Sequence, residues 1–351
     1  MLGAYANPKP FWDRGARLDG YGINAIFVHS GALQEEMIRR ARGEGARVFG
    51  EFATFNGSSW LVRRQGGSEE PIEERAAAWP IDQTGARSPR QSWFLGICPT
   101  NEAFLQARLA ELEKLVGSLD LDGVWLDYLH WHAQFEDPRP GLPETCFDAS
   151  CVGRFQKDTG IKLAGDAPRG WAAEILSRHE ASWREWRCSV VTDFARQCRA
   201  VISARAPRML LGNFHCGWRD EEHAGARRRI LGLDLPALAK VFDVLSPMLY
   251  HGRSGHPVGW VRQNTEWLCR RLGVRGGPGE RLQIWPIVQA WNDPKGHRVT
   301  PAQFETALRG GLSGGSTGVM MFTLGAVAED PEKMAVMKRV YRQRFAFEAP
   351  R

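Results

Sequence analysis

Short apolar runs alternate with longer helical patterns along the whole chain. The runs are rich in β-branched and aromatic residues, which is typical of buried parallel strands. Eight of them are predicted as strands, at residues 2–7, 24–29, 47–53, 123–127, 209–215, 243–250, 282–291 and 318–324. Helices are predicted between them, at residues 31–42, 102–118, 171–205, 234–241, 258–273, 301–313 and 329–343. Repeated βα units indicate a parallel sheet, and a closed (β/α)8 barrel needs this number of strands.

Two connections are much longer than the others, and both follow a predicted strand. Residues 54–100 follow the third strand and residues 128–170 follow the fourth, and both are rich in glycine, proline and aromatic residues. Barrel enzymes build their sites from such strand-to-helix loops. The chain has no internal repeat and no linker that divides it. We therefore predict an α/β fold, a single TIM-like barrel over residues 1–345 with a C-terminal tail at 346–351.

Polar side chains stand at the ends of several predicted strands, where a barrel enzyme keeps its functional groups. Glu51 lies near the end of the third strand, and Asp127 ends the fourth. The later strands end in further polar or aromatic residues: Asn213, His215, Tyr250, Gln289 and Trp291. A charge inside a barrel is costly unless it is paired or useful. The structural alternative for Glu51 and Asp127 is therefore an ion pair with an arginine.

Two carboxyl groups in a cleft lined with aromatic side chains suit the hydrolysis of glycosidic bonds. One carboxyl protonates the leaving oxygen, and the other attacks the sugar or activates water. The C–H faces of sugar rings stack on aromatic rings, and the chain has 14 tryptophans. Trp93 in the first long loop and Tyr128 directly after Asp127 are predicted beside the mouth of the barrel.

Histidines close to Asp127 allow a different interpretation, a metal site. His130 and His132 form an HxH pair that, with acidic strand-end residues, would suit a metal-dependent hydrolase. In barrels of that class the pair is expected on the first strand, which here offers Tyr5 and Asn7. Hydrogen bonding to a sugar is the commoner use of such histidines, including His215, and we predict neither a metal nor a cofactor.

The composition argues against several other classes of protein. The formal net charge is +6, but 46 basic residues are mixed with 40 acidic ones along the chain, so no nucleic-acid patch is indicated. No run approaches the roughly 18 apolar residues of a membrane span. Nothing near Met1 resembles a signal peptide, so a cytoplasmic location and export with a trimmed signal both stay open.

The seven cysteines do not form the spacing of a small disulfide-rich domain. Cys146 and Cys151 are the one close pair, and they fit either a loop disulfide or two free thiols. A structural zinc site needs four ligands, and no second cysteine pair has a matching spacing. The sequence therefore does not indicate zinc at this position.

Three motifs in the middle of the chain resemble glycosyl-hydrolase TIM barrels related to the family-10-like glycosyl hydrolase lipoproteins. The motifs are Trp79-Pro80-Ile81-Asp82-Gln83-Thr84-Gly85, Cys98-Pro99-Thr100-Asn101 and Asp122-Gly123-Val124-Trp125-Leu126-Asp127-Tyr128. They are similar to that family's HPxW stretch, its CPxN turn before a long helix and its DGIxLDYxR strand. The resemblance spans residues 45–325 and is most specific at 79–160. It implies a TIM barrel that acts on a polysaccharide or another glycan.

The resemblance assigns a role most directly to Asp127. This residue matches the strand-four aspartate that related sugar hydrolases use as nucleophile or catalytic acid. The chain departs from the pattern at His130, where relatives often carry arginine. The fifth strand also ends without the glutamate that broader sugar-hydrolase barrels use as general acid.

The sequence therefore leaves the identity of the second catalytic carboxylate open. Glu51 is the first choice, and Asp293 and Asp220 are the alternative second carboxylates. Glu136 and Asp137 are close to Asp127 in the sequence, but a Glu-Asp-Pro turn is more typical of a surface position.

The sequence thus predicts a glycoside hydrolase with Asp127 and Glu51 as its catalytic carboxyls. Contacts with the carbohydrate are predicted for nine residues: Tyr128, His130, His132, Asn213, His215, Tyr250, Gln289, Trp291 and Trp93. Two other functions stay open, a non-catalytic glycan-binding protein and a metal-dependent hydrolase that uses His130 and His132. The identity of the sugar and the oligomeric state have no readable pattern.

Overall fold

Eight parallel strands close into a barrel, as the sequence predicts. The computed structural model covers residues 1–294 and 296–348, with side chains to residue 343. The barrel strands are β1 (Leu2–Tyr5), β2 (Ala25–His29), β3 (Arg47–Ala53), β4 (Gly123–Asp127), β5 (Leu210–Cys216), β6 (Val244–Leu249), β7 (Gln283–Ile284 and Ile287–Gln289) and β8 (Val319–Phe322). β1 pairs with β8, and β7 pairs with both β6 and β8, so the sheet closes on itself.

The connections between the strands carry the helices. These are α1 (Lys9–Trp12), α2 (Glu35–Gly43), α3 (Ser58–Leu61), α4 (Glu102–Ser118), α5 (Ala149–Thr159), α6 (Pro168–Arg178), α7 (Glu180–Arg205), α8 (Ala226–Arg229), α9 (Leu235–Leu238), α10 (Gly259–Leu272), α11 (Pro301–Gly311), α12 (Leu324–Ala328) and α13 (Pro331–Glu348). Asn101 caps α4 by accepting a 3.0 Å hydrogen bond from the Phe104 N–H. Thr300 and Gln303 form a capping box at the start of α11. Within the described part of the chain, no helix is long and apolar enough to cross a membrane.

Three elements differ from the sequence prediction. The helix predicted at 171–205 is two helices, α6 and α7, which meet at His179. β7 is interrupted at Trp285 and Pro286, because proline has no N–H group to donate to the sheet. α13 continues through the first part of the predicted tail at 346–351, and residues 349–351 lie outside the described range.

The two long loops after β3 and β4 pack against each other. The first contains α3, an antiparallel hairpin (Val62–Gln65 with Ser68–Pro71) and a short 3-10 helix at Glu73–Ala78. The second contains α5. The Gln134 N–H donates to the Gln91 side-chain oxygen at 2.6 Å, and the Gly96 N–H donates to the His132 ring at 2.9 Å. These hydrogen bonds join the loops on the side where the strands end.

Large aromatic side chains fill the interior of the barrel. Phe27, Phe49, Trp125, Phe214 and Trp285 belong to one buried cluster, and we call these five residues the aromatic floor. Ring centroids are 4.7 Å apart between Phe27 and Phe49 and 5.6 Å apart between Trp125 and Trp285. Such dense packing makes the interior a core rather than a channel. A larger hydrophobic core lies between the strands and the helices.

Candidate active site

The carboxyl ends of the strands surround a cavity of about 420 Å³. Strand residues reach it from alternate positions, because residues two apart share one side of a strand. The strands and their ends contribute Tyr5, His29, Glu51, Ala53, Asp127, Met248, Tyr250, Trp291 and Phe322, and the loops contribute Asn56, Trp93, Tyr128, Glu136 and Arg253. A small recess of about 30 Å³ adjoins the cavity beside Phe94 and His130.

Glu51 projects from β3 into this cavity and is only 2% exposed. The Tyr5 hydroxyl donates a hydrogen bond of 2.8 Å to its Oε2 atom. Burial raises the pKa of the Glu51 carboxyl, while His29, the Tyr5 hydrogen bond and Arg108 lower it. The charged form of Glu51 therefore has favourable partners inside the barrel.

Asp127 ends β4 and lines the same cavity as Glu51. Its Oδ1 atom accepts a hydrogen bond of 2.8 Å from the Tyr128 backbone N–H. Burial raises the pKa of Asp127 well above its ordinary value, and the charges of Glu51 and Glu136 raise it further. The hydrogen bond from the Tyr128 N–H acts in the opposite direction and lowers this pKa. Of the two carboxyls, Asp127 is the one whose surroundings favour the protonated form.

A third carboxyl, Glu136, also lines the cavity, which corrects the surface position predicted for its turn. Its side chain is 17% exposed, and its Oε2 atom lies 3.3 Å from Nε of Arg253. The pKa of Glu136 is about 7, because burial raises it more than Arg253 lowers it. Arg253 also contacts Asp137 at 3.2 Å and Asp293 at 3.1 Å. One buried guanidinium thus holds three acidic side chains beside the cavity.

The two alternative partners of Asp127 are not among the residues that line the cavity. Asp293 is buried against Arg253. Asp220 pairs with Arg227 and lies 2.9 Å from Arg271, with 47% of its side chain exposed. Asp293 and Asp220 therefore form ion pairs with arginines, whereas Glu51 and Asp127 line the same cavity.

Of the residues predicted to contact carbohydrate, the four tryptophans and tyrosines line the cavity: Trp93, Tyr128, Tyr250 and Trp291. Trp93, from the first long loop, is 39% exposed. The Tyr128 ring stacks on Phe94 with 5.3 Å between centroids. Its backbone φ of 54° is rare for a residue other than glycine and occurs often at functional sites. Trp291 contacts Tyr250 edge to face at 4.9 Å.

Asn213 and His215 lie outside the cavity, which corrects their predicted place at the mouth. Phe214 takes the inward position on β5 as part of the aromatic floor, and adjacent strand residues face opposite sides. The Asn213 amide donates to the Leu126 carbonyl at 2.8 Å, and His215 Nδ1 lies 2.8 Å from the Cys216 carbonyl oxygen. Burial lowers the pKa of His215 to about 3, so its ring is neutral.

Gln289 supports the cavity without lining it. Its side-chain oxygen accepts hydrogen bonds of 3.0 Å from the backbone N–H groups of Gly252 and Arg253. Its amide nitrogen donates to the Trp291 carbonyl at 3.1 Å. The side chain therefore fixes the start of the loop that carries Arg253.

In the described part of the chain, the HxH pair does not belong to a group with the spacing of metal ligands. His130 lines the small recess, with Nδ1 2.8 Å from the Trp131 carbonyl oxygen, and His132 Nδ1 accepts the Gly96 N–H. Burial lowers the pKa of both histidines to about 4, so both rings are neutral. Among the described residues, one group has the spacing of metal ligands, and it lies outside the cavity: Cys98, Cys146 and Asp148.

Several residues that line the cavity are missed by the sequence analysis: Tyr5, His29, Asn56, Glu136 and Arg253. Tyr5 and His29 end β1 and β2, so the rule that points to Asp127 could also have found them. The other three lie in loops, where no periodic pattern indicates which side chains turn inward.

Comparison with solved structures supports the fold. The PgaB (BpsB) glycoside hydrolase domain from Bordetella bronchiseptica is 13% identical, with a TM-score of 0.66 over 96% of this chain and 97% of that one. The catalytic domain of beta-amylase from Paenibacillus polymyxa is 10% identical, with a TM-score of 0.61 over 97% of each chain. A beta-galactosidase from Marinomonas ef1 is 11% identical, with a TM-score of 0.66 over 99% of this chain and 60% of that one.

These structural neighbours are glycoside hydrolases that share the barrel fold with this chain. The sequence matches no protein-family model and no curated protein. At such low identity the likeness extends to the fold, and the resemblance to the family-10-like lipoproteins stays a prediction.

Proposed function

We propose that the chain is a glycoside hydrolase that acts on a polysaccharide or oligosaccharide, with Asp127 as general acid and Glu51 as its ionised partner. The observation that carries the proposal is the pair of carboxyls with raised pKa values in one aromatic-walled cavity at the carboxyl ends of the strands. This is the face on which barrel enzymes carry their catalytic groups.

The surroundings of the two carboxyls support these roles. Asp127 faces the negative charges of Glu51 and Glu136, so it retains a proton more readily. Glu51 receives the Tyr5 hydrogen bond and the field of Arg108, which favour its charged form. Two carboxyls whose environments separate their protonation states are what acid and base roles require.

The chemistry follows from this distribution of protons. Asp127 gives its proton to the glycosidic oxygen as the bond to the anomeric carbon breaks, so the leaving group departs as a neutral alcohol. Glu51 either attacks the anomeric carbon or removes a proton from an attacking water. A carboxyl separation of about 5 Å would produce retention of configuration, and one of about 6.5–9.5 Å would produce inversion.

Aromatic rings and hydrogen-bonding groups supply the binding surface. Trp93, Tyr128 and Trp291 present faces or edges on which sugar rings can stack, and Asn56 and Tyr250 lie in the same wall. The titles of the structural neighbours name a glycoside hydrolase domain, a beta-amylase and a beta-galactosidase. The motif resemblance at residues 79–160 favours the same class of reaction.

The main competing function is non-catalytic binding of a glycan in the same cleft. That alternative expects no second carboxyl within reach of Asp127, whereas Glu51 lines the same cavity and raises the pKa of Asp127. We therefore favour catalysis over binding alone.

Activity against a panel of polysaccharides and aryl glycosides tests the proposal. Replacing the acid in Asp127→Asn or its ionised partner in Glu51→Gln should lower kcat/KM by about 10²- to 10⁴-fold while the circular dichroism spectrum stays unchanged. Asp193→Asn, an exposed aspartate on α7, is the matched control and should keep full activity. Full activity in Asp127→Asn would reject the assignment. Binding of oligosaccharides with no turnover of any substrate would instead establish the glycan-binding alternative.

A further inference from the structure

Three buried cysteines from the two long loops meet away from the candidate active site. Cys98 belongs to the loop after β3, whereas Cys146 and Cys151 belong to the loop after β4. Their exposed fractions are 1%, 0% and 0%, and all three are free thiols. Cys146 and Cys151 alone are too few ligands for zinc, but the fold brings a third thiol to them from 48 residues upstream, at position 98 against 146.

A carboxylate completes this group. The thiols of Cys98 and Cys146 lie 3.1 Å and 2.8 Å from the same Oδ2 atom of Asp148, and these three ligand atoms are all within 4.8 Å of one another. Cys151, in the first turn of α5, is also fully buried, but it is not part of the group that lies within 4.8 Å. We call Cys98, Cys146, Cys151 and Asp148 the thiol cluster.

The backbone holds the thiol cluster in place. The other oxygen of Asp148 caps α5 by accepting hydrogen bonds from Ser150 N–H at 2.9 Å and Cys151 N–H at 3.0 Å. These bonds leave Oδ2 directed at the thiols. The Ile81 N–H lies 3.1 Å from the Cys146 sulfur and donates to it, as outer-shell donors do around metal-bound sulfur.

We propose that the thiol cluster binds one zinc ion through three thiolates and the Asp148 carboxylate. Zinc takes four such ligands in structural sites, at about 2.3 Å for sulfur and about 2.0–2.2 Å for oxygen. Those lengths bring the ligand atoms within about 4 Å of one another, and the atoms of Cys98, Cys146 and Asp148 already lie within 4.8 Å. Each thiol loses its proton when its sulfur binds the metal, so binding releases three protons if all three begin protonated.

We assign the zinc a structural role, because Cys151 would supply the fourth protein ligand beside the three residues already grouped, and that group lies outside the cavity. It joins the loop that carries Trp93 to the loop that carries Glu136. The metal would therefore hold two walls of the cavity in a fixed relative position without taking part in the reaction.

Metal analysis of the purified full chain tests this inference independently of any enzymatic activity. After reduction, incubation with zinc chloride and desalting, elemental analysis should find about one zinc per chain. Cys98→Ser and Cys146→Ser should lose most of that zinc. Cys269→Ser removes a buried cysteine of α10 outside the thiol cluster and should retain it.

Cobalt(II) gives a second readout on the unmodified chain, which stays informative if a cysteine variant fails to fold. Bound cobalt should show thiolate charge-transfer absorption and the visible bands of tetrahedral coordination, and zinc should displace it. Zinc at background level in the folded, reduced chain would overturn the proposal. A disulfide within the thiol cluster that persists in the natively purified chain, or equal zinc loss from Cys269→Ser, would also overturn it.

Discussion

At the scale of single residues, the candidate site depends on how its neighbours distribute protons. Burial raises the pKa of both Glu51 and Asp127 and so favours the neutral form of each carboxyl. The Tyr5 hydroxyl breaks this symmetry, because it donates to Glu51 and not to Asp127. Tyr5 is therefore a positioning residue whose effect should appear in the pH dependence of the reaction.

Removing the Tyr5 hydroxyl should shift the acidic limb of the activity profile. The hydrogen bond favours ionised Glu51, so Tyr5→Phe raises the pKa of Glu51, and the limb moves to higher pH. A hydrogen bond to a charged group contributes about 1.5–3 kcal/mol, which corresponds to about one to two pH units. The measurement is kcat/KM against pH.

Tyr341→Phe is the matched control for this substitution. The Tyr341 hydroxyl donates to the Gly3 carbonyl at 2.7 Å, and the residue does not line the cavity. Its acidic limb should stay in place. An unchanged limb in Tyr5→Phe as well would mean that Glu51 is not the ionised partner.

Trp93 should affect binding rather than chemistry. It is 39% exposed at the cavity and presents an aromatic surface that carries no titratable group. Trp93→Ala should raise KM about tenfold or more with kcat nearly unchanged, because it removes binding common to substrate and transition state. Trp60→Ala alters a partly buried tryptophan of the same loop that does not line the cavity, and it should leave KM unchanged. A loss confined to kcat would assign Trp93 a role in the reaction itself.

At the scale of elements, the register of each strand decides which residues enter the cavity. On β5 the inward position belongs to Phe214, so Asn213 and His215 lie outside. The floor also depends on Gly212, because a Cβ atom there would lie 2.1 Å from the Trp125 ring. Because Gly212 on β5 has no side chain, the indole of Trp125 on β4 can occupy this position.

Adding a methyl group at Gly212 should destabilise the barrel. Gly212→Ala forces Trp125 out of its position, and overpacking of a dense core costs about 1–3 kcal/mol. Urea unfolding followed by circular dichroism measures the change. Gly153→Ala is the control, since its Cβ meets nothing within 4 Å and the helix α5 should gain about 0.5–1 kcal/mol. Equal stability of Gly212→Ala and the parent would show that the floor can relax around the added atom.

The register of the strands also explains which parts of the fold and of the candidate site the sequence predicts correctly. The barrel and its order of strands follow from alternating patterns, and Glu51, Asp127 and Tyr250 were found at strand ends by the same reasoning. The sequence does not show which face of β5 points inward, because Asn213, Phe214 and His215 are each compatible with either face. The sequence does not indicate that Glu136 and Arg253 line the cavity, because loop residues have no periodic pattern from which the direction of a side chain can be inferred.

At the scale of the whole molecule, the buried carboxyls link stability to pH. The pKa values of Glu51 and Asp127 are raised by burial, and that of Glu136 is about 7. A carboxyl with a raised pKa binds protons more tightly in the folded state than in the unfolded state. Its contribution to stability is therefore complete below the unfolded pKa of about 4 and is lost as pH rises through the folded pKa.

We expect the free energy contributed by these groups to fall as pH rises from about 4 to 7, where Glu136 titrates. Glu51→Gln removes one of the buried charges, so it should raise the free energy of unfolding at pH 7 by about 0.5–2 kcal/mol while reducing activity. Urea unfolding at several pH values measures both effects. Glu70→Gln, in the exposed hairpin, should leave the pH dependence unchanged. A Glu51→Gln variant that loses stability at pH 7 would contradict this account.

The exposure of Trp93 also gives the protein an optical property. Trp93 is the only large apolar side chain that the described part of the chain leaves exposed, whereas Trp125 and Trp285 are buried in the aromatic floor. The emission of an indole moves to shorter wavelengths when water is removed from around it. A ligand that covers Trp93 should therefore shift its emission to shorter wavelengths against a constant background from the floor. Occupancy of the cavity can thus be followed by the protein's own fluorescence, without a label and without a known reaction.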